Sequence, residues 1–311
     1  MTRIFIDGEA GTTGLQLRER LLATEGIQLL TIDPERRKVP ASRQAMMAQA
    51  DLVVLCLHDD AAIESVALLA ELAGADGQRC PKVLDASTAH RVQPDWVYGF
   101  AELQHGQREA IATARRVSNP GCYATGAIAL LRPLVDAGLL PADYPLAISG
   151  YSGYSGGGRS MIEAHEVART APPLEVYGLA LGHKHVPEVQ RHSGLTRRPL
   201  FVPAVGNYYA GMIVQIGLHL DLLRGAHSPS RLEEVLRGHY VGSRWVQVVP
   251  AADGGRLEPT ALNGSDRMEL SVCGNENLGQ AVLVARLDNL GKGAAGAAMQ
   301  NIRLMAGLDD V

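Results

Sequence analysis

The segment Ser118-Asn119-Pro120-Gly121-Cys122-Tyr123-Ala124-Thr125-Gly126 places a cysteine where a loop turns into a helix. Orphan backbone N–H groups and the positive end of the helix dipole favour a thiolate there, and Asn119 or Pro120 can organise the turn that presents it. The chemistry implied is nucleophilic: a sulfur that attacks an electrophilic carbon and leaves again. The same placement also suits a buried cysteine that merely opens a helix, and the residues alone weigh the two readings equally. The other cysteines carry less. Cys56 sits in the apolar run 52–57, Cys273 follows Leu270-Ser271-Val272, and Cys80 lies in the loop Gly77-Gln78-Arg79-Cys80-Pro81. With four widely spaced cysteines and no C-x-x-C pair, neither a disulfide scaffold nor a zinc site is expected.

A nucleophilic thiol needs a proton acceptor, and imidazole titrates near working pH. Of the ten histidines, His90, His105, His192, His227 and His239 read as surface or structural residues. His183 and His185 differ: they flank Lys184 directly ahead of Val186-Pro187-Glu188, where Pro187 suits the first turn of a helix. A histidine pair at i, i+2 without a further ligand cluster predicts no metal site.

A second chemical signal lies near the start. In Ile4-Phe5-Ile6-Asp7-Gly8-Glu9-Ala10-Gly11-Thr12-Thr13-Gly14-Leu15, three glycines separate an apolar strand from a helix. Such a turn lets backbone N–H groups approach a pyrophosphate whose charge the helix N-terminus favours, although a tight turn without a ligand fits the same spacing. Asp33 ends the second strand, where a dinucleotide fold carries the group that meets the adenosine ribose. Arg36, Arg37 and Lys38 follow and would neutralise a 2′-phosphate, which points to NADP; a solvated basic loop is the plainer alternative. Leu57-His58-Asp59-Asp60, after another strand, is expected near the cofactor. The hydroxyls and N–H groups of Ser149-Gly150-Tyr151-Ser152-Gly153-Tyr154-Ser155-Gly156-Gly157-Gly158, with Arg159, could hold anionic groups, though composition alone favours a flexible surface loop. Arg91, after Asp85-Ala86-Ser87-Thr88-Ala89-His90, is a second anion-binding candidate.

The elements that must position these residues follow from periodicity. Short runs at 3–7, 28–32, 52–57, 82–86 and 115–118 predict successive strands, and Leu17, Leu21, Leu22 and Ile63, Val66, Ala67, Ala70 recur at helical spacing between them. This predicts an α/β, doubly wound Rossmann-type nucleotide-binding domain. A helix is expected over 122–137, with Ile128, Leu131, Leu134 and Val135 buried and Gly138 ending it. Beyond it, 212–220 alternates with a period of two, 245–249, 268–273 and 281–287 look alike, and 230–236 reads as a helix. The second half is therefore expected to be an α+β domain with a mixed or antiparallel sheet. From Asn289 the chain turns helical again, with Met299, Ile302, Leu304 and Met305 apolar. The expected domains are 1–119 plus 290–311 for the dinucleotide, and 120–289 for catalysis, substrate and oligomerisation.

Composition excludes other classes. A chain of 311 residues with net charge −4 lacks the basic field that nucleic-acid binding needs. It enters an apolar strand within three residues, and no apolar run reaches membrane-spanning length, so a cytoplasmic protein is expected.

The 118–125 segment resembles the active-site signature of the N-acetyl-γ-glutamyl-phosphate reductases, relatives of aspartate-semialdehyde dehydrogenase. The resemblance extends to the loop 8–14, to Ser149-Gly150-Tyr151-Ser152-Gly153, to Gly182-His183-Lys184-His185-Val186-Pro187-Glu188 and to Asn289-Leu290-Gly291-Lys292-Gly293-Ala294, and the length is similar to the shorter of that family's two types. It implies that Cys122 attacks an acyl phosphate, that phosphate leaves, and that the thioester takes hydride from NADPH before a thiohemiacetal collapses to the semialdehyde. His185 would be the acid/base, oriented by Glu188. Substrate would meet Arg91, Asn119, Ser152, Gly153, Arg159 and His183. The cofactor would meet Gly8, Gly11, Thr12, Thr13 and Gly14 in the loop, Asp33, Arg36 and Arg37 beyond the second strand, then Leu57, Ser87, Gly291 and Lys292. A homo-oligomer, dimer or tetramer, is also implied. Aspartyl phosphate or a carrier-linked aminoadipyl phosphate would suit the same chemistry, and a non-catalytic dinucleotide sensor the same fold. The joint presence of Cys122, His185 and Glu188 weighs against the sensor, and a cysteine hydrolase would have no use for the nucleotide loop.

Overall fold

A computed structural model describes residues 1–74, 80–225, 228–251 and 253–308; His227 and residues 77–79 of the Cys80 loop lie outside these. The chain divides into two compact units, one of residues 1–101, 105–120 and 297 onward, the other of 102–104 and 121–296.

The first unit runs β1 (Thr2–Asp7), α1 (Thr12–Leu22), β2 (Ile27–Leu30), α2 (Pro40–Gln49), β3 (Leu52–Leu55), α3 (Asp59–Gly74), β4 (Lys82–Asp85), β5 (Val97–Tyr98), α4 (Gln107–Thr113) and β6 (Arg116–Ser118). All six strands are parallel, in the order β2-β1-β3-β4-β6-β5. Strands covered by helices on both faces must be apolar throughout, and Leu52, Val53, Val54 and Leu55 of β3 are all buried. The strand order reverses direction between β1 and β3, the place where open α/β sheets leave a crevice beyond the strand ends.

The second unit continues with α5 (Cys122–Asp136), β7 (Ala147–Gly153), α6 (Gly158–Ile162), β8 (Leu174–Val176), α7 (Val186–Ser193), β9 (Leu200–Gly206), β10 (Met212–His219), α8 (Pro229–His239), β11 (Val246–Val248), β12 (Met268–Asn275) and β13 (Gln280–Leu287). Its seven strands form a mixed sheet, β11-β12-β13-β10-β7-β9-β8, parallel only at β11/β12 and β7/β9. In β10 the residues alternate between buried and solvent-facing, as a period of two requires of a strand with one covered face. The covering helices are α5 and α8. A helical turn over Gly291–Ala295 leads into α9 (Gly296–Ala306), whose Met299, Ile302 and Met305 are buried.

Ser149 to Gly153 form an interior strand, β7, rather than a surface loop. The glycines hid it. A Cβ on Gly150 would lie 2.5 Å from the Tyr123 ring, so the strand gives up a side chain to admit that ring.

α5 is the pedestal for Cys122. Ile128, Leu130, Leu131 and Leu134 are fully buried, each burial contributing about 1.5–3 kcal/mol. Gly126 lets the helix lie close on β10, since a Cβ there would come within 2.9 Å of Val214. Pro133 cannot donate to the carbonyl four residues back, and the Tyr240 hydroxyl donates to that Ala129 oxygen instead, at 2.9 Å. The helix ends at Gly138, which takes φ +70° and donates its N–H to Val135 O at 2.9 Å.

Candidate active site

Cys122 is the first residue of α5, preceded by Gly121 in an extended conformation, and is partly buried. No acidic residue occupies the first turn of α5, so the dipole there is not offset within the helix. Thr125 caps the turn from inside, its N–H and hydroxyl both donating to Gly121 O at 2.8 and 2.9 Å. From outside, Glu188 on α7 accepts the Gly121 N–H at 2.8 Å. Behind the cysteine stands the Gly291–Ala295 turn, where a Cβ on Gly293 would lie 2.9 Å from Cys122 Cβ.

His183 and His185 both pack on Tyr123, the residue after the cysteine, with ring centroids 6.1 and 6.0 Å away, and lie 4.8 Å from each other. His185 is the N-cap of α7 and is buried. Its backbone N–H donates to His183 Nδ1 at 3.1 Å, so the His183 ring carries its proton on Nε2. Burial, and then the neighbouring Lys184 charge, hold His183 below the usual imidazole range against the opposing pull of Glu188. The Tyr123 hydroxyl donates to Ala204 O at 3.1 Å, and burial pushes its phenol far up.

Tyr177 belongs to this cluster and no motif marked it in the sequence. Its hydroxyl shares a hydrogen bond with Tyr123, its ring lies 5.8 Å from that of His183, and burial, reinforced by the Cys122 sulfur, pushes its phenol up to about 12. Ser152, 2% exposed, hydrogen-bonds the same Tyr123 hydroxyl. Gly153 is closed in by Tyr208, Tyr209 and Ala210. Arg159 stands apart, 87% exposed at its side chain and paired with Glu163 at 2.8 Å.

In the first unit, Gly8 takes φ +92° and its carbonyl accepts the Gly11 N–H at 3.1 Å. A Cβ on Gly14 would lie 2.6 Å from Gly8 O, so packing demands that glycine. Gly11 is different: its φ is −77° and a Cβ would meet nothing nearer than 3.6 Å. The chain's own packing does not need a glycine there, but a phosphate lying across the N-terminus of α1, which begins at Thr12 and Thr13, would. Beside the loop is a cavity of about 430 Å³ at the β1/β3 switch point, lined by Gly8, Glu9, Ile32, Arg37, Lys38 and Leu57 among others.

Other expected cofactor residues are placed differently. Asp33 is exposed and its side chain accepts the Glu35 N–H at 3.1 Å, capping a short turn, and Arg36 within that turn is exposed too. Lys292 is turned inward, 2% exposed at its side chain and 2.7 Å from Glu102, and a Cβ on Gly291 would lie 2.1 Å from Ser265 O. The Gly-Lys-Gly segment thus serves the packing behind Cys122. Ser87 and Arg91 sit on the loop after β4. Asp85 there accepts the Ser87 N–H at 2.9 Å, the Ser87 hydroxyl at 2.7 Å and bonds His90 Nδ1 at 2.6 Å. Arg91 is buried and donates to Ala86 O at 3.1 Å. Asn119 is buried and accepts from Asn301 Nδ2 at 3.0 Å. Among the described residues no group of His, Cys, Asp and Glu is arranged to hold a metal.

The two-unit fold is that of the semialdehyde dehydrogenases. An aspartate semialdehyde dehydrogenase II from Vibrio cholerae, solved with ASA, superposes with a TM-score of 0.72 at 15% identity over 99% of this chain and 98% of that one. The Candida albicans aspartate semialdehyde dehydrogenase with NADP gives 0.64 at 14% identity, with 98% of each chain covered. The family model described as semialdehyde dehydrogenase, dimerisation domain, matches residues 122–289. In sequence, the N-acetyl-gamma-glutamyl-phosphate reductase of Burkholderia lata is 51% identical over 99% of this chain and 97% of its own length. Reductase 2 of Pseudomonas putida is 52% identical, with 98% and 96% covered. The chain belongs to the N-acetyl-gamma-glutamyl-phosphate reductase family.

Proposed function

We propose that this chain reduces N-acetyl-γ-glutamyl phosphate to N-acetylglutamate semialdehyde and phosphate in arginine biosynthesis, using NADPH and a thioester on Cys122. The observation that carries the reading is a cysteine at the head of a rigid buried helix with two imidazoles packed on the next side chain.

The helix dipole favours the ionised sulfur by about 0.3–1 kcal/mol, more where water is excluded. The Cys122 sulfur attacks the acyl carbon and the C–O bond to phosphate breaks, with both electrons leaving on phosphate. NADPH, when bound, supplies the hydride that takes the thioester carbon to the aldehyde level. His185 then acts at the oxygen of that carbon, giving it a proton as the thiohemiacetal forms and removing it as the C–S bond breaks and the thiolate returns. Glu188 and Thr125 hold the Gly121 turn still, so the sulfur keeps its place through both halves.

The first unit is the dinucleotide-binding domain in this reading. The open Gly11 position and the neighbouring cavity fit the diphosphate and the adenosine half, with Arg37 and Lys38 as the partners of a 2′-phosphate. The second unit carries catalysis and pairs with a second copy. The sheet face turned away from α5 presents Tyr151 and Val282, 37% and 38% exposed, and a homodimer would cover it.

The test runs the reaction backwards, with stable substrates: phosphate-dependent reduction of NADP by N-acetylglutamate semialdehyde or aspartate semialdehyde. Turnover is expected with the first. Turnover confined to the second, or none with either, sinks the proposal.

A further inference from the structure

Glu9, the residue after the positive-φ glycine of the nucleotide loop, is a carboxylate where an anion is expected to bind. Its side chain is 11% exposed, Oε1 lies 2.5 Å from Arg18 Nε, and Oε2 lies 3.8 Å from Arg37 Nη2. Glu9, Arg37 and Lys38 line the same cavity. Arg43 lines it as well, but its charge is matched within the wall: Nη2 lies 2.8 Å from Asp7 Oδ2 and Nη1 2.9 Å from Glu64 Oε1. The cavity walls therefore balance, with Asp7, Glu9 and Glu64 against Arg37, Lys38 and Arg43. A phosphate monoester brings nearly two further negative charges at neutral pH. It can gain the Arg37 guanidinium only in competition with the carboxylate already beside it.

We propose that Glu9 is a specificity-determining residue for the cofactor, competing with the adenosine 2′-phosphate for Arg37 and so setting how far NADP is preferred over NAD. The inference rests on the cofactor reading above. A ligand with a free 2′-hydroxyl makes no demand on Arg37, so Glu9 restrains the 2′-phosphorylated ligand beyond its effect on the diphosphate both ligands share. Removing one unit charge at this range, in a partly solvated cavity, is expected to change affinity about ten-fold.

The experiment is equilibrium binding of NADPH, NADH, 2′,5′-ADP and 5′-ADP to the full chain, its Glu9→Gln and Arg37→Ala variants and the double variant, read by nicotinamide fluorescence and calorimetry. Glu9→Gln is expected to tighten NADPH and 2′,5′-ADP about ten-fold more than NADH and 5′-ADP, and that difference is expected to vanish when Arg37 is alanine. Equal tightening of all four ligands, weaker NADPH binding, or a difference that persists without Arg37 overturns the proposal. Should Glu9→Gln fail to fold, Glu9→Asp withdraws the carboxylate by one methylene and must move NADPH affinity the same way by a smaller factor, or the proposal fails. If the natural chain binds none of the four, the cofactor reading fails and takes this inference with it; binding without the Glu9 effect defeats the inference alone.

Discussion

Glu188 Oε1 accepts the backbone N–H of Gly121 at 2.8 Å, fastening α7 to the residue directly ahead of Cys122. Both partners are buried, so losing the acceptor leaves an amide unsatisfied at a cost of about 1–3 kcal/mol. Glu188→Ala is expected to lower kcat by roughly ten- to a hundred-fold, the rate equivalent of that cost. Glu188→Gln keeps an acceptor oxygen and should recover much of the loss. Because the Glu188 charge opposes the lowering of the His183 pKa, the Gln variant should also move an acid limb of the rate–pH profile to lower pH. Equal damage by both variants would show that the charge, and not the hold on Gly121, is what matters.

Cys122→Ala is expected to abolish reduction while leaving NADPH affinity within about two-fold, because the sulfur enters the covalent chemistry and not the nucleotide site. Steady-state turnover and fluorescence titration of the same preparation check both halves. Appreciable residual turnover would exclude the thioester route.

How much of this was legible beforehand follows from what each residue contacts. Strand β3 could be read because a parallel sheet covered on both faces leaves an unbroken apolar run, Leu52 to Leu55. The place of Cys122 at the head of a helix could be read because its signal is local: a glycine, then the cysteine, then an apolar helix. Two-residue β5 carries too little pattern, and β7 looked like a loop because its glycines make room for Tyr123, 27 residues away from Gly150 by position. Lys292 is expected at the cofactor by resemblance alone; its partner Glu102 is 190 residues earlier, and no local rule reveals a pair so remote. Asp33 stands where a ribose ligand is expected, and the cap it makes by accepting the Glu35 N–H follows from a short side chain ahead of Pro34. Tyr177 joined the site through its hydrogen bond to Tyr123 and its ring contact with His183, which no local pattern marks.

His183 gives the folded chain a sign in its response to acid. Its pKa is held below the ordinary imidazole value in the folded state, so between that lowered value and about 6.5 the unfolded chain binds more protons. Stability therefore falls as pH drops below about 6.5 and is recovered above it. His183→Gln should flatten this part of the curve. Urea midpoints between about pH 5 and 8 measure it, and an unchanged slope in the variant would mean the acid sensitivity arises elsewhere.

The Tyr240 hydroxyl offers a test of structure independent of chemistry. Pro133 leaves Ala129 O without its helical donor, and Tyr240 supplies one at 2.9 Å from a position 5% exposed. Tyr240→Phe keeps the ring and its packing but strands a buried carbonyl, at a cost of about 1–3 kcal/mol. Replacing Pro133 with Ala in that background restores a backbone N–H four residues along from Ala129 and should return most of the lost stability, so the two substitutions are expected to be strongly non-additive. Unfolding midpoints of the two single variants and the double variant decide the point. Simple additivity would mean that the phenol and the missing amide are unrelated. Since α5 carries Cys122 at its other end, turnover of Tyr240→Phe below its melting range should stay within about two-fold of the natural chain, because the Leu130, Leu131 and Leu134 contacts that fix the helix remain.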